Sequence, residues 1–581
     1  MNAPVASLLR ALPGALLCSL LLAGNAVAQT TEVSGETLRL PDYKIVDNPN
    51  LAPVEDWTYT RVGGFEVLSN ASDRSTRRLL ADFARFTQAM KLVWPAPSQP
   101  LASSTLILCG RQAKFDAFAP ANAERSEGLT TSIFLKNAEQ VAIVIDVEAD
   151  RIAINPADMA GANVTGSAEY EVDHYQLLYR EYVRYLISQS QVRPPIWVEE
   201  GLAQIVMDAE ITSTALYYGK IDSLKGAVSG GESADSDGTD PTANGDALVG
   251  ERPFNAVLIN RKLMPLDQFF AITADSPEAK NRLGNNLWAK QAYAFVHFCL
   301  FGEKLQHKEA FTKFVQRLAR EPLSETLFKE CFKLSYADMQ KQLGGYIRHT
   351  RHQYQKYALQ KGDSIDPKSI ELRTASPAEI ALIKGDALRL AGHHEPAFIA
   401  YRSAYLRRAR EPALLAGLGL VEKELQHADR SRELLEAAVQ TNAPRPSAYV
   451  ELARLRFEQA ANNAASGKFS AAQVASVLKP LFAARQHPPM IPEAYELIAQ
   501  TWARSEVAPK PENLAVLDEG IRAFPRRSPL LFNAAQLYQQ AGAPQVAASI
   551  ARLGVRFASD AATKAKFEQL LATLPAAPAN S

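Results

Sequence analysis

The spacing of apolar residues changes period along the chain. In Phe65-Glu66-Val67-Leu68-Ser69 the alternation is that of a half-buried strand. Ser72 and Asp73 then offer helix-capping oxygens, and Leu79, Phe83, Phe86 and Met90 mark one face of a helix that Pro95 and Pro97 stop. Thr105–Cys109 is a short buried-strand candidate. Ser132–Leu135 and Val141–Asp146 form a strand pair turning through Lys136-Asn137-Ala138-Glu139. From about 168 to 189 the spacing of Tyr175, Leu178, Tyr182, Tyr185 and Leu186 predicts a long helix. Pro194-Pro195 breaks it, and a second helix starts near Trp197. Residues 229–250 are rich in Gly, Ser, Asp, Thr and Asn. They carry too little apolar surface to offset ordering entropy and predict a mobile surface loop. Helical periods resume from Asn286 to about Tyr357. Residues 56–360 are therefore expected to form one α+β unit.

From about residue 377 the pattern becomes one of helix pairs. Gly385, Leu388, Ala397, Tyr401 and Ala404 precede Pro412, and Gly419, Leu435 and Ala438 follow 34 positions after Gly385, Tyr401 and Ala404. A further shift of 34 reaches Ala453, after which an insertion breaks the count. The register returns at Ala499, Trp502, Leu517, Gly520 and Pro525, then at Ala535, Tyr538, Ala547 and Ala551. Small residues at a close helix contact, a large residue on the facing helix and a proline after the pair resemble the tetratricopeptide repeat. The resemblance covers residues 377–575 and implies an all-α solenoid of four to six helix pairs with a concave surface for a protein or peptide partner.

The start of the chain adds a destination. Arg10, the apolar run Ala15–Ala23 and Ala26-Val27-Ala28 before Gln29 have the layout of a cleavable secretory signal over residues 1–28. A polar, Pro-punctuated extension follows at 29–55. Export of a bacterial type is expected, to the periplasm or the outside of a single-membrane cell. Asn163-Val164-Thr165 fits a glycosylation acceptor, relevant only to a eukaryotic source. The chain has 63 Lys+Arg against 63 Asp+Glu, which argues against nucleic-acid binding driven by bulk positive charge. Three cysteines outlast the signal: Cys109, Cys299 and Cys331. An odd count forms no disulfide framework, and their pairing is left open, with Cys299–Cys331 as one possibility.

The chemistry concentrates in Tyr179-Arg180-Glu181-Tyr182-Val183-Arg184, followed by Trp197-Val198-Glu199-Glu200-Gly201-Leu202-Ala203. This ordered pair resembles the core of the gluzincin, or peptidase-MA-like, zinc metallopeptidases. In those enzymes H-E-x-x-H on one helix and W-x-x-E-G-x-A on the next supply two His ligands, a general base and a third, carboxylate ligand. Positions i and i+4 share a helix face, so two side chains there converge on one point. The match puts Arg180 and Arg184 at the two His positions, Glu181 at the base position and Glu200 at the third-ligand position. A guanidinium stays protonated and has no lone pair to give a metal. The resemblance, extended through Leu263–Phe270 and Ala292–Phe298 to about 350, thus implies a degenerate domain with no catalytic residues, no metal and no cofactor. An internal ion pair from Arg180 or Arg184 to Glu200 or Glu199 is expected to fill the vacated seat. His174, six residues before Arg180, is off that face, and His393-His394 is expected to be exposed in a repeat turn.

Two other functions stay open at this point. One is an active hydrolase using a non-standard site, although no G-x-S-x-G elbow and no defensible Cys–His arrangement occurs. The other is a purely structural assembly scaffold.

Overall fold

Gly63 and Gly64, both at positive φ (61° and 88°), close the two-residue turn that joins strands β1 (Thr58–Val62) and β2 (Phe65–Ser69). The structure is a computed structural model that describes residues 40–43, 55–94, 103–110, 115–121, 131–148, 151–154, 168–189, 194–221, 247–249, 253–280, 284–318, 321–349, 351–359, 365–464, 467–558 and 560–574. The signal at 1–28, Pro95, Pro97 and the Asn163 acceptor lie outside the described residues.

Strands β3 (Ser103–Cys109), β4 (Ser132–Lys136) and β5 (Gln140–Asp146) continue the sheet. β2, β3 and β5 run parallel to one another, and β4 folds back antiparallel on β5 at the expected turn. The short strand Arg373–Thr374 closes the other edge against β1, giving the order Arg373–Thr374, β1, β2, β3, β5, β4. Helix α1 (Asp73–Val93) starts where Ser72 accepts from the Ser75 N–H, as its capping oxygen predicts.

The sheet is buried on both faces. Val67, Leu106, Leu108, Ile143 and Ile145 point into a core with α1 and the helices that follow. Their alternates Leu68, Ile107, Cys109, Ile133, Ala142 and Val144 point into a second core shared with the repeats. This double burial explains the unbroken apolar run of β5. Helix Pro377–Leu390 is the first repeat element on that second face, with Ala387, Leu388 and Ala391 in the same cluster.

Helix α2 (His174–Ser188) is shorter than the periodicity suggests. Asp173 accepts from the N–H groups of Tyr175 and Gln176 and fixes its start there. Residues Ala168–Glu171 are a strand instead, antiparallel to Arg151–Ile154 and parallel to Ala247–Val249. The latter three residues fall inside the segment read as a mobile loop, so that reading is corrected for them, while 229–246 lie outside the described residues. Helix α3 (Ile196–Met207) packs on α2 and on α4 (Leu287–Phe301). Gly201 permits that packing: a Cβ there would stand 2.5 Å from Val296 Cγ2 and 2.6 Å from the Ala292 carbonyl.

From Pro377 on, the described helices form five antiparallel pairs and a final helix, Ala561–Ala572. The 34-residue echo has a direct cause. A Cβ on Gly385 would meet the Tyr401 ring at 2.6 Å, and one on Gly419 would meet Leu435 Cγ at 2.8 Å. Each glycine seats the large residue of its partner helix. The break in register matches the lengthened helix Pro446–Asn463, after which Phe469 bridges to Ser505. This segment is a tetratricopeptide-type helical solenoid.

The first turns of the solenoid are not a free surface. The Ser447 N–H donates at 2.8 Å to the carboxylate of Glu139, in the β4–β5 turn. Arg389 Nη2 donates to the Gln140 side chain (2.8 Å), and Lys384 Nζ to Glu55 (2.5 Å). His393 is half-buried and bonds the Ala119 carbonyl at 2.6 Å, and His394 bonds Glu424 at 2.8 Å. The exposure expected for this His pair is corrected for His393, which contacts the sheet unit, whereas the His394 side chain stays 40% exposed. No helix among the described residues is long and apolar enough to cross a membrane.

Candidate functional site

Helix α2 carries Arg180 and Arg184 one turn apart, so both project from the same face toward α3, which carries Glu200. Arg180 Nη2 donates to both Glu200 oxygens, at 2.8 and 3.0 Å. Arg184 Nη2 donates to Glu200 Oε2 at 3.2 Å, and its Nη1 reaches both Glu181 oxygens at 3.2 Å. All four residues predicted from the sequence therefore meet in one cluster. Side-chain exposure is 0% for Arg180, 2% for Glu181, 6% for Glu200 and 17% for Arg184, so the cluster is closed to solvent on all but one edge.

Four further residues complete it. Gln204, one turn after Glu200, donates to Glu200 Oε1 at 2.9 Å and to the Gly284 carbonyl. Lys290 Nζ, on α4, donates to Gln204 Oε1 at 3.0 Å. Ser132, which opens β4, donates to Glu181 Oε1 at 3.0 Å. Gly284 covers the pair at φ +65°, and a Cβ there would stand 2.5 Å from both Arg180 Nη2 and Glu200 Oε1. Gln204 has a sequence signal in its i+4 spacing from Glu200. Ser132, Gly284 and Lys290 come from remote segments and have none.

The electrostatics follow from the geometry. Burial alone raises the Glu200 pKa, but the charges of Arg180 and Arg184 and the Gln204 hydrogen bond hold it at about 2. Burial pulls the Arg184 pKa down, and Glu181, Glu200 and Glu199 more than reverse that. At the centre of the cluster two guanidinium groups meet two carboxylates through charge-assisted hydrogen bonds. Glu181 accepts from Arg184 and Ser132, so its carboxylate is engaged rather than poised over a water. Among the described residues no group of three or more His, Cys, Asp or Glu could hold a metal ion.

Cys109, Cys299 and Cys331 are all free and buried, so the possible Cys299–Cys331 bridge is not formed. His297 is wholly buried on α4. Its Nδ1 faces the Tyr346 hydroxyl at 2.7 Å and its Nε2 faces the Gly219 carbonyl at 2.8 Å, partners that suit a neutral, structural ring.

No family model matches the chain, and no curated protein matches it significantly. Solved structures of repeat proteins do match part of it. YrrB, described as a TPR protein with an unusual peptide-binding site, is 14% identical over 32% of this chain and 90% of its own, with a TM-score of 0.26. TTC0263, a thermophilic TPR protein of Thermus thermophilus, is 15% identical over 33% of this chain and 97% of its own, with a TM-score of 0.25. Yeast Tom70 is 13% identical over 49% of this chain and 63% of its own, with a TM-score of 0.19. At these scores the repeat architecture rests on the helix pairing of this chain itself.

Proposed function

We propose that this chain is an exported, non-catalytic relative of gluzincin metallopeptidases whose helical repeats bind a protein or peptide. One observation carries the non-catalytic half: the Arg180 guanidinium occupies the Glu200 carboxylate at 2.8 Å, in a spot closed to solvent. A zinc site of that family needs Glu200 free and two imidazoles beside it. Here the carboxylate is saturated by Arg180, Arg184 and Gln204. The binding half is supported by the solenoid, whose stacked pairs present an extended surface. Because Lys384, Arg389, His393 and Ser447 contact the sheet unit, partner binding falls to the repeat surface outside those residues.

Hydrolysis assays on casein and on mixed peptides test the first half. The expected result is no turnover with or without added zinc. Zinc-dependent cleavage that disappears in Glu181→Gln would restore the hydrolase reading.

A second reading is favoured by the shared core: the sheet unit serves to position the repeats. Trp57, Ile107 and Val144 sit in the same apolar cluster as Ala387, Tyr401 and Leu415. If partner affinity survives substitutions on the exposed surface of the sheet unit and falls only with substitutions on the repeats, this positioning role is the whole of its contribution.

A further inference from the structure

A short segment ahead of the sheet unit packs against the first repeats. Residues Leu40–Tyr43 (Leu-Pro-Asp-Tyr) have no regular secondary structure and lie against the second helix of the first repeat pair, His394–Leu406. The Tyr43 ring meets Tyr405 edge-on, with centroids 5.4 Å apart, and Phe398 at 5.8 Å. Arg402 and Arg430 each place a guanidinium 5.7 Å from the Tyr43 ring centre. The Tyr43 hydroxyl donates to Glu422, whose side chain is fully buried and is also held by Arg430 Nε (3.1 Å) and His427 Nδ1 (2.6 Å). The Tyr405 hydroxyl donates to the Pro41 carbonyl at 3.0 Å, and Pro41 itself is buried.

These contacts have the composition of a recognition site. An aromatic ring sits on two aromatic walls under two cations, a combination that favours a π face. A buried carboxylate reads the phenol, which a phenylalanine could not satisfy, and a buried acceptor without its donor is costly. A second donor reads the main chain two residues earlier. We propose that this groove is a peptide-recognition site for a Pro-x-Tyr segment, filled in cis by residues 40–43. The proposal rests on the peptide-binding reading above and gives it a ligand class. At most 14 residues separate Tyr43 from β1, so the tethered segment competes at high effective concentration and an outside peptide enters only when it is released.

The test uses a fluorescein-labelled peptide with the sequence of residues 37–47 and the full chain without its signal. Anisotropy is expected to show saturable binding to Tyr43→Ala and at least tenfold weaker binding to the unaltered chain. The same peptide with Phe at the position of Tyr43 is expected to lose at least tenfold on Tyr43→Ala. Equal affinity of the two chains, or of the two peptides, overturns the proposal. Should Tyr43→Ala not fold, the unaltered chain answers instead. Excess peptide should then speed tryptic cleavage after Arg39 and Lys44, and an unchanged rate overturns the proposal equally. A dimer of the unaltered chain in sedimentation that dissociates with the peptide would overturn occupancy in cis. Partner capture by the repeats with no peptide effect would remove this groove while leaving the broader binding function intact.

Discussion

Arg180 and Glu200 stand 2.8 Å apart on adjoining helices with almost no solvent between them and the core. A buried pair of this kind is expensive to split. Desolvation has already been imposed on both charges, so removing Arg180 leaves Glu200 buried on the weaker Arg184 and Gln204 contacts that remain. Arg180→Leu is expected to cost about 3–5 kcal/mol in urea unfolding, whereas Arg180→Leu with Glu200→Leu is expected to cost less than either single change predicts by addition. Additive losses would mean that the two charges are not coupled.

If the proposed kinship holds, placing imidazoles at the two arginine positions should make a metal seat. Arg180→His with Arg184→His frees Glu200 and places two nitrogens on one face of α2. The double variant is expected to take up one zinc per chain, measured by atomic absorption after gel filtration. The further change Glu200→Gln should abolish that uptake. A double variant that folds and stays free of zinc argues that α2 and α3 do not have the gluzincin arrangement.

The acid limb of stability should have two parts. His297 is held neutral by burial, with its pKa lowered from 6.5 to about 3. The unfolded chain takes a proton at the higher value, so stability is complete above pH 6.5 and falls as pH drops toward 3. Glu200 is lowered from 4.5 to about 2, so its ion-pair contribution is complete above pH 4.5 and is lost as pH drops toward 2. Urea midpoints across this range should decline below pH 6.5 and steepen below 4.5. His297→Gln should flatten the upper limb, and a variant with an unchanged upper limb would assign it to other groups.

Gly201 explains the E-G step of the motif in steric terms. Gly201→Ala is expected to cost about 1–3 kcal/mol, because the new methyl meets both the Val296 side chain and the fixed Ala292 carbonyl. Val296→Ala should recover part of the loss by relieving one of the two contacts. No recovery would place the whole strain on the carbonyl.

Local signals carry much of this fold. The Ser72 cap, the β4–β5 hairpin and the 34-residue echo of Gly385 and Gly419 all depend on neighbours or on a fixed period, and each can be read from the chain. The charged site residues are legible for the same reason, since Arg180, Glu181 and Arg184 lie within about one helix turn. What stays hidden is set by long-range packing. Gly284 and Lys290 reach the site from positions 84 and 90 residues beyond Glu200 in sequence, with no periodic mark. Strand Ala168–Glu171 is hidden because the Asp173 cap outweighs the helical pattern that runs through it. The contact of Glu139 with Ser447 joins residues 308 apart, and nothing in either neighbourhood announces it.

Under the proposed function, Arg180 and Arg184 fill the position that a gluzincin metal ion would need. The decisive measurement is the zinc content of the unaltered chain after equilibration with excess zinc and removal of unbound ion. Far less than one zinc per chain is expected, unchanged by Glu200→Gln. One zinc per chain, lost in Glu200→Gln, would contradict the proposal.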